Sequence, residues 1–183
     1  WFMAILLKNA TVFDGERFLE NQSVEIANGK ISRLMSAAET QSIADEGQII
    51  DLQGQILAPG FVDVQVNGGG GVLFNNHPSA ETLVTMSRAH QQFGSTAILP
   101  TLITDDLATM QSAAHAVASA MEQKVPGIVG IHFEGPHLSF AKKGTHCAEL
   151  IRPISDAEWQ ILSRKDIGQV MVTLAPETVS TKD

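Results

Sequence analysis

The sequence predicts an α/β protein in two parts, a small layer of strands followed by parallel strands that alternate with helices. Three observations lead there. Asn28-Gly29 stands between two alternating runs, Val24-Glu25-Ile26-Ala27 and Lys30-Ile31-Ser32-Arg33-Leu34. Asn-Gly suits a tight antiparallel hairpin because both turn positions need positive φ. From Pro78 onward, short apolar runs recur between helical stripes, the pattern of βαβ units and a parallel sheet. Between the two regions lies LAPGFVDVQVNGGGG, residues 57–71. Its valine-rich run from Gly60 to Asn67, ended by four glycines, fits a buried parallel strand.

The first part begins with a strand over residues 4–7 and a second run at Thr11-Val12-Phe13, closed by the turn at Asp14-Gly15. The Asn28-Gly29 hairpin follows, and residues 36–47, small, polar and acidic, read as a surface loop. Strand character resumes at Ile49-Ile50-Asp51-Leu52 and Gln55-Ile56-Leu57, around Gly54. Such a layer buries too little apolar surface to stand alone. In the second part Ser79 caps a helix carrying Leu83, Met86 and Phe93, and STAILPT (95–101) is a strand. Thr104 caps the next helix, with Asp105 and Asp106 in its first turn, where the helix dipole favours anions. Leu107, Met110, Ala114, Val117 and Met121 make one helical stripe along it. IVGIHFE (128–134) is the third strand of the series. Ser155-Asp156-Ala157-Glu158 forms a capping box, and QVMVTL (169–174) is the fourth strand. Four such strands are half of an eight-stranded barrel or most of a small doubly wound sheet, and length does not choose.

With 183 residues the chain has room for one domain, or a small domain and part of another. At 44% hydrophobic and 17% charged residues it is an ordinary globular chain. A net charge of -8 excludes a general nucleic-acid or anionic-membrane surface, although a local basic pocket for a small anion stays compatible. Cys147 is the single cysteine, which excludes an internal disulfide and suits a reducing compartment. The apolar start, Trp1 to Leu7, lacks a basic leader and is too short to span a bilayer. Met3 reads as the start codon, and the protein as cytoplasmic.

Strand alternation puts Asp63, Gln65 and Asn67 on one face of the first long strand, opposite Val62, Val64 and Val66. Buried polar groups are costly unless paired, so these three line a site or form a satisfied structural network. His132 and Glu134 share a face of the third strand, with Glu134 at its C-terminal end, where barrels and open α/β sheets keep reacting groups. A carboxylate there suits a metal ligand or a general acid/base, or equally a structural bond to a loop. His132, one layer deeper, reads as a satisfied core histidine. Lys142-Lys143-Gly144-Thr145-His146 lacks the glycine spacing of a phosphate-binding P-loop. It offers amines, a hydroxyl and an imidazole to a polar or anionic substrate, or it is a solvated basic turn. His90 and His115 lie within helices and read as structural, as does Cys147 as an inert thiol.

Taken together, LAPGFVDVQVNGGGGVLFN (57–75), STAILPTLIT (95–104), GIHFEGPHL (130–138), KKGTH (142–146) and VTLAPE (172–177) resemble the N-acetylglucosamine-6-phosphate deacetylase family of the amidohydrolase superfamily. The resemblance runs from about residue 4 to 183. It implies the N-terminal part of a TIM-like (β/α)8 barrel, incomplete in this chain, preceded by strands of a small β-sandwich. The domains divide as 1–57 for the sandwich strands and 58–183 for the first half of the barrel. It also implies a metal-dependent hydrolase that releases acetate from N-acetyl-D-glucosamine 6-phosphate, a divalent metal activating the attacking water. By the same resemblance Glu134 is a metal ligand and Thr145 and His146 bind substrate. Asp63, Gln65, Asn67 and Lys143 line the site. The general base, two histidine ligands and most of the phosphate grip lie beyond Asp183.

Many amidohydrolases carry His-x-His on the first barrel strand, where this chain has Gln65-Val66-Asn67. Amides are weak zinc ligands beside imidazole, which implies a single divalent ion, zinc. A dihydroorotase-like or deaminase-like hydrolase would use the missing histidines, and a silent sugar-phosphate-binding fragment is the alternative outside enzymes. The expected partner is an amino-sugar phosphate, with no nucleic acid and no membrane, in a homodimer or homotetramer when complete. These 183 residues alone are expected to be inactive and poorly stable, since half a barrel leaves strand edges unpaired.

Overall fold

The computed structural model describes residues 4–40 and 47–180. Part of the apolar start, including Met3, and the middle of the 36–47 segment lie outside the described residues. Two compact units divide between Pro59 and Gly60.

The first unit is a five-stranded sheet of β1 (Ile5–Phe13), β2 (Phe18–Ala27), β3 (Lys30–Ser36), β4 (Gln48–Asp51) and β5 (Ile56–Leu57), with a helical turn, α1 (Ala37–Thr40), after β3. The β2–β3 hairpin turns at Asn28 and Gly29, whose φ values are 53° and 71°, the positive pair that the dipeptide predicts. β1 is one strand rather than two. Its register shifts between Leu7 and Ala10, and Asn9 adopts φ 56° between them, so the polar interruption is a bulge. β4 and β5 pair parallel to β1. Ala10, Val12 and Val24 are the buried residues of this layer's cluster. One apolar cleft of about 350 Å³ is lined by Leu7, Ile26, Ile31, Leu34 and Leu57, among others.

The second unit holds β6 (Phe61–Val66), a small hairpin of β7 (Gly68–Gly69) and β8 (Val72–Leu73), α2 (Ala80–Gln91), β9 (Ser95–Ile103), α3 (Leu107–Glu122), β10 (Gly130–Glu134), α4 (Asp156–Leu162) and β11 (Gln169–Thr173). Its main sheet runs β6-β9-β10-β11, with every pair parallel. Each strand thus lies beside the next strand of the series. A doubly wound sheet would need a reversal of order; this sequential order is that of a barrel wall.

Ile98, Leu102, Ile131 and Phe133 pack against Leu83 and Met86 of α2 and Met110, Ala113, Ala114 and Val117 of α3. The α3 stripe falls where its spacing predicts. Two expectations change. Phe93 lies beyond the end of α2 and is 80% exposed, because the helix stops at Gln91 and Gly94 then turns with φ 95°. β6 is parallel, yet Phe61, Val62 and Val64 are exposed. Among the described residues it pairs on one side alone, with β9, and of its apolar residues Val66 is the one buried in the core. The glycine run serves packing: a Cβ on Gly69 would come within 2.8 Å of His90 Nε2, and that nitrogen lies 2.9 Å from the Gly68 carbonyl. His90 is structural, as its place on a helix predicts.

Phe133 and Phe93 therefore separate core from surface. Phe133→Ala is expected to cost about 3–5 kcal/mol, transfer and cavity together, and Phe93→Ala less than about 0.5 kcal/mol. Urea unfolding midpoints of the two variants check this; comparable losses would contradict the packing.

Candidate functional site

The site is built at the C-terminal ends of the parallel strands, and a bulge in β6 shapes its first wall. Asp63 pairs with Ile98 and Val66 with Pro100, so three residues of β6 advance against two of β9. Asp63 Oδ1 accepts from the Gln65 amide N–H at 3.1 Å. The Val66 N–H is satisfied by the buried Thr101 hydroxyl at 2.9 Å. The bulge frees Gln65, whose Nε2 donates to Glu134 Oε2 at 3.0 Å across 69 residues of sequence.

Glu134 ends β10 opposite Ile103 of β9 and Thr173 of β11. Its other oxygen, Oε1, lies 3.8 Å from His146 Nε2. His146 Nδ1 is 2.8 Å from the Thr104 hydroxyl, which also reaches the Glu134 carbonyl at 3.4 Å. Glu134, His146 and Thr104 thus form a closed circuit, with Gln65 on its outer side. Thr145 is exposed beside it, and Lys143 Nζ donates to the His146 carbonyl at 3.4 Å, bracing the loop from within.

His132 lies below, 2% exposed, with Nδ1 3.3 Å from the Thr101 hydroxyl and Nε2 2.8 Å from the Thr173 hydroxyl. Burial pushes its imidazole below the ordinary histidine range, against the opposing Glu134 charge and the Val64 backbone. It is the satisfied core histidine its position predicts.

The loop between β10 and α4 is tied down by Arg152. Its guanidinium donates to Glu158 Oε1 at 2.6 Å, to the Leu150 carbonyl at 2.7 Å and to the Asp105 carbonyl at 2.9 Å. Glu158 is 1% exposed and completes the capping box with Ser155. Burial acts to raise the Glu158 carboxyl. The Ser155 hydroxyl and amide, then the Arg152 guanidinium, outweigh it and hold the carboxyl below the ordinary glutamate range. Asn75 braces the opposite side, donating to Asp105 Oδ2 at 2.9 Å and accepting from the Ile103 N–H at 3.1 Å.

The candidates thus separate. Gln65, Glu134 and His146 come together. Asp63 holds the bulge, and Lys143 braces the loop. Asn67 follows the end of β6, and its Nδ2 is buried with no partner among the described residues. Reasoning from sequence missed Thr104 and Arg152. Thr104 reads as a helix cap, but Asp106 is the cap, its carboxylate accepting from Thr109 N–H at 2.7 Å. The available signal was position: Thr104 follows directly on the end of a parallel strand, as Glu134 ends the next one. Arg152 lies in a loop without periodicity, and nothing local marks it.

A zinc site takes three or four donors from the protein. Among the described residues no three of the His, Cys, Asp and Glu side chains converge on one point. Glu134, with one oxygen already held by Gln65, and the neighbouring His146 do not complete such a site.

The amidohydrolase family model matches residues 56–182. An N-acetylgalactosamine-6-phosphate deacetylase from Shewanella sp. (strain ANA-3) is 47% identical over 96% of this chain and 44% of that protein. An N-acetylglucosamine-6-phosphate deacetylase from Haemophilus influenzae is 35% identical over 96% of this chain and 45% of that protein. Among solved structures, the N-acetylglucosamine-6-phosphate deacetylase from Pasteurella multocida superposes with a TM-score of 0.88 at 35% identity, over 96% of this chain and 45% of that one. The chain therefore spans under half the length of these relatives. No helix among the described residues is long and apolar enough to cross a membrane.

Glu158→Ala removes a charge-assisted bond and the capping box but leaves Arg152 partly solvated with two carbonyl partners, so it is expected to cost about 1–3 kcal/mol at pH 7. A carboxyl held low in the folded state stabilises above its unfolded pKa, and that contribution is lost as pH falls through the folded value. The gap between parent and variant should therefore narrow when urea titrations move from pH 7 to about pH 4. A gap that widens would contradict the pairing.

Proposed function

Because this chain belongs to the amidohydrolase family, we propose that it is the N-terminal half of a metal-dependent amide hydrolase. Its reaction would release acetate from N-acetyl-D-glucosamine 6-phosphate and leave D-glucosamine 6-phosphate. The observation that carries the reading is the convergence of Gln65, Glu134 and His146 at the C-terminal strand ends, in a chain whose relatives are named as amino-sugar-phosphate deacetylases. The 47% identity to a relative named for the galactosamine substrate favours a second reading, the epimer at C4, attacked at the same acetamide.

Each residue has a role in this reading. Glu134 gives one ligand to a single divalent ion, zinc. The family is metal-dependent in general, and this reading expects the remaining ligands and the general base beyond Asp183. Gln65 holds the second carboxylate oxygen of Glu134 and so aims the group. His146 presents a ring nitrogen and Thr145 a hydroxyl to the sugar. Lys143, through the His146 carbonyl, keeps that loop in shape. Asn67, with an unpartnered buried amide, supports a substrate contact at the strand tip. Asp63 contributes through the bulge. The folding units support a small strand domain before a barrel half. Cytoplasmic location and assembly as a homodimer or homotetramer complete the proposal.

Acetate release by the full-length protein tests it, with the two 6-phosphorylated N-acetylhexosamines and their unphosphorylated forms in parallel. Turnover of a phosphorylated sugar is expected, with the free sugars at least about 100-fold poorer in kcat/KM, since a buried site built for an absent polar group is left unpaired. No acetate from either phosphorylated sugar by metal-loaded protein would end the deacetylase reading. Changing groups that merely support a ligand typically lowers metal affinity about 10–100-fold. Glu134→Ala should thus lower it at least about 100-fold, as metal analysis after dialysis would show; full metal retention would remove Glu134 from the ligand set.

A further inference from the structure

The glycine hairpin after β6 leaves and rejoins the chain beside Asn67, and α2 holds it there. The Phe74 N–H donates to the Asn67 carbonyl at 2.9 Å, which closes the neck of the hairpin. Phe74 is fully buried, so this end is fixed in the core. On the other side, His90 Nε2 of α2 lies 2.9 Å from the carbonyl of Gly68, the residue next to Asn67. A carbonyl oxygen only accepts, so His90 is the donor in this bond. The hairpin lies close against the helix. A Cβ on Gly69 would come within 2.8 Å of His90 Nε2, and one on Gly70 within 2.9 Å of the Thr85 methyl. Asn67 has no comparable hold through its side-chain amide nitrogen, since Nδ2 is buried without a partner among the described residues. Its place is set through the backbone, by Phe74 at its own carbonyl and by His90 at the next.

We propose that His90 is a positioning residue for substrate binding: its N–H, bonded to the Gly68 carbonyl, fixes the strand tip at which Asn67 lines the site for the amino-sugar phosphate. This rests on the deacetylase reading given above. His90 touches no ligand and acts through a single backbone carbonyl. Binding groups have to be held within about 0.5 Å of their productive place by a supporting layer of contacts, and the bond from α2 supplies that support one residue away from Asn67.

The test compares His90→Leu, which removes the donor, with His90→Gln, whose amide N–H can replace it, in the metal-loaded full-length protein. His90→Leu should raise KM for the phosphorylated sugar about fivefold with kcat changed less than about threefold, the pattern expected when binding shared by ground and transition states is lost. His90→Gln should restore KM to within about twofold. Gly69→Ala breaks the same bond from the other side, by pushing the ring off the carbonyl, and should raise KM by a similar factor. The φ of Gly69 lies outside the left-handed region, so alanine adds no backbone strain there, and this variant decides if His90→Leu fails to fold. Asn67→Ala should itself raise KM, and on that background His90→Leu should add nothing, since residues acting on one contact are not additive. With an active parent, an unchanged KM in folded His90→Leu or Gly69→Ala, no rescue by glutamine, or a full effect of His90→Leu on the Asn67→Ala background would overturn the proposal alone. A parent that releases no acetate from either phosphorylated sugar would overturn the deacetylase reading and this proposal with it, so the parent assay separates the two failures.

Discussion

The parallel register of β9, β10 and β11 is the constraint on which the rest of the second unit depends. His132 is held opposite Thr101 and Met171, and Glu134 opposite Ile103 and Thr173. Because alternate side chains leave a strand on opposite faces, this ladder sends Ile131 and Phe133 into the helix-covered core. His132 and Glu134 go to the other face. A slip of one residue would exchange the two sets, driving a carboxylate among Met110, Ala113 and Val117. The apolar packing and the site are therefore two consequences of one register, and the cost of burying Glu134 unpaired helps to hold it.

On that frame polar bonds link the ends of three strands. Gln65 reaches Glu134 from β6, Thr104 reaches Glu134 and His146 from β9, and Arg152 ties the loop after β10 to Asp105 and to α4. The buried members, Thr104 and Glu158, gain most from such pairing, since low-dielectric surroundings strengthen a satisfied polar bond and raise the cost of losing one, whereas Gln65 is exposed. Arg152 and Glu158 anchor the end of that loop, between Leu150 and α4. Loops generally carry function because a rigid scaffold positions them. Here the scaffold extends into the loop through the Thr104–His146 contact and through the Arg152 guanidinium with its three oxygen partners.

The supporting histidine shows how environment divides labour between neighbours. His132 and Glu134 share one face of one strand, two residues apart. His132 is enclosed between two threonine hydroxyls and shifted toward its neutral form by burial. Glu134 keeps both oxygens directed at the strand ends, toward Gln65 and His146. A strand that ends one residue past the core layer thus yields a structural group and a candidate ligand.

Sequence alone determined what short-range chemistry decides. The Asn28-Gly29 turn, the Ser79 cap, the Ser155–Glu158 capping box and the α3 stripe all stand as read, because each depends on residues within four positions of one another. The candidates Gln65, Glu134 and His146 were legible from strand alternation, strand-end placement and motif. Their contacts were not. Gln65 is 69 residues from Glu134, and His146 is 42 from Thr104, and only the strand order and register bring such pairs within bonding distance. The same reason accounts for the readings that changed. Thr104 and Asp106 are both good caps in isolation, and the start of α3 at Leu107 gives the role to Asp106, while the Thr104 hydroxyl meets His146. Val62 and Val64 of β6 read as buried because their chemistry is apolar, yet they are exposed while Val66 is buried, because burial is settled by what packs over a side chain in the tertiary structure.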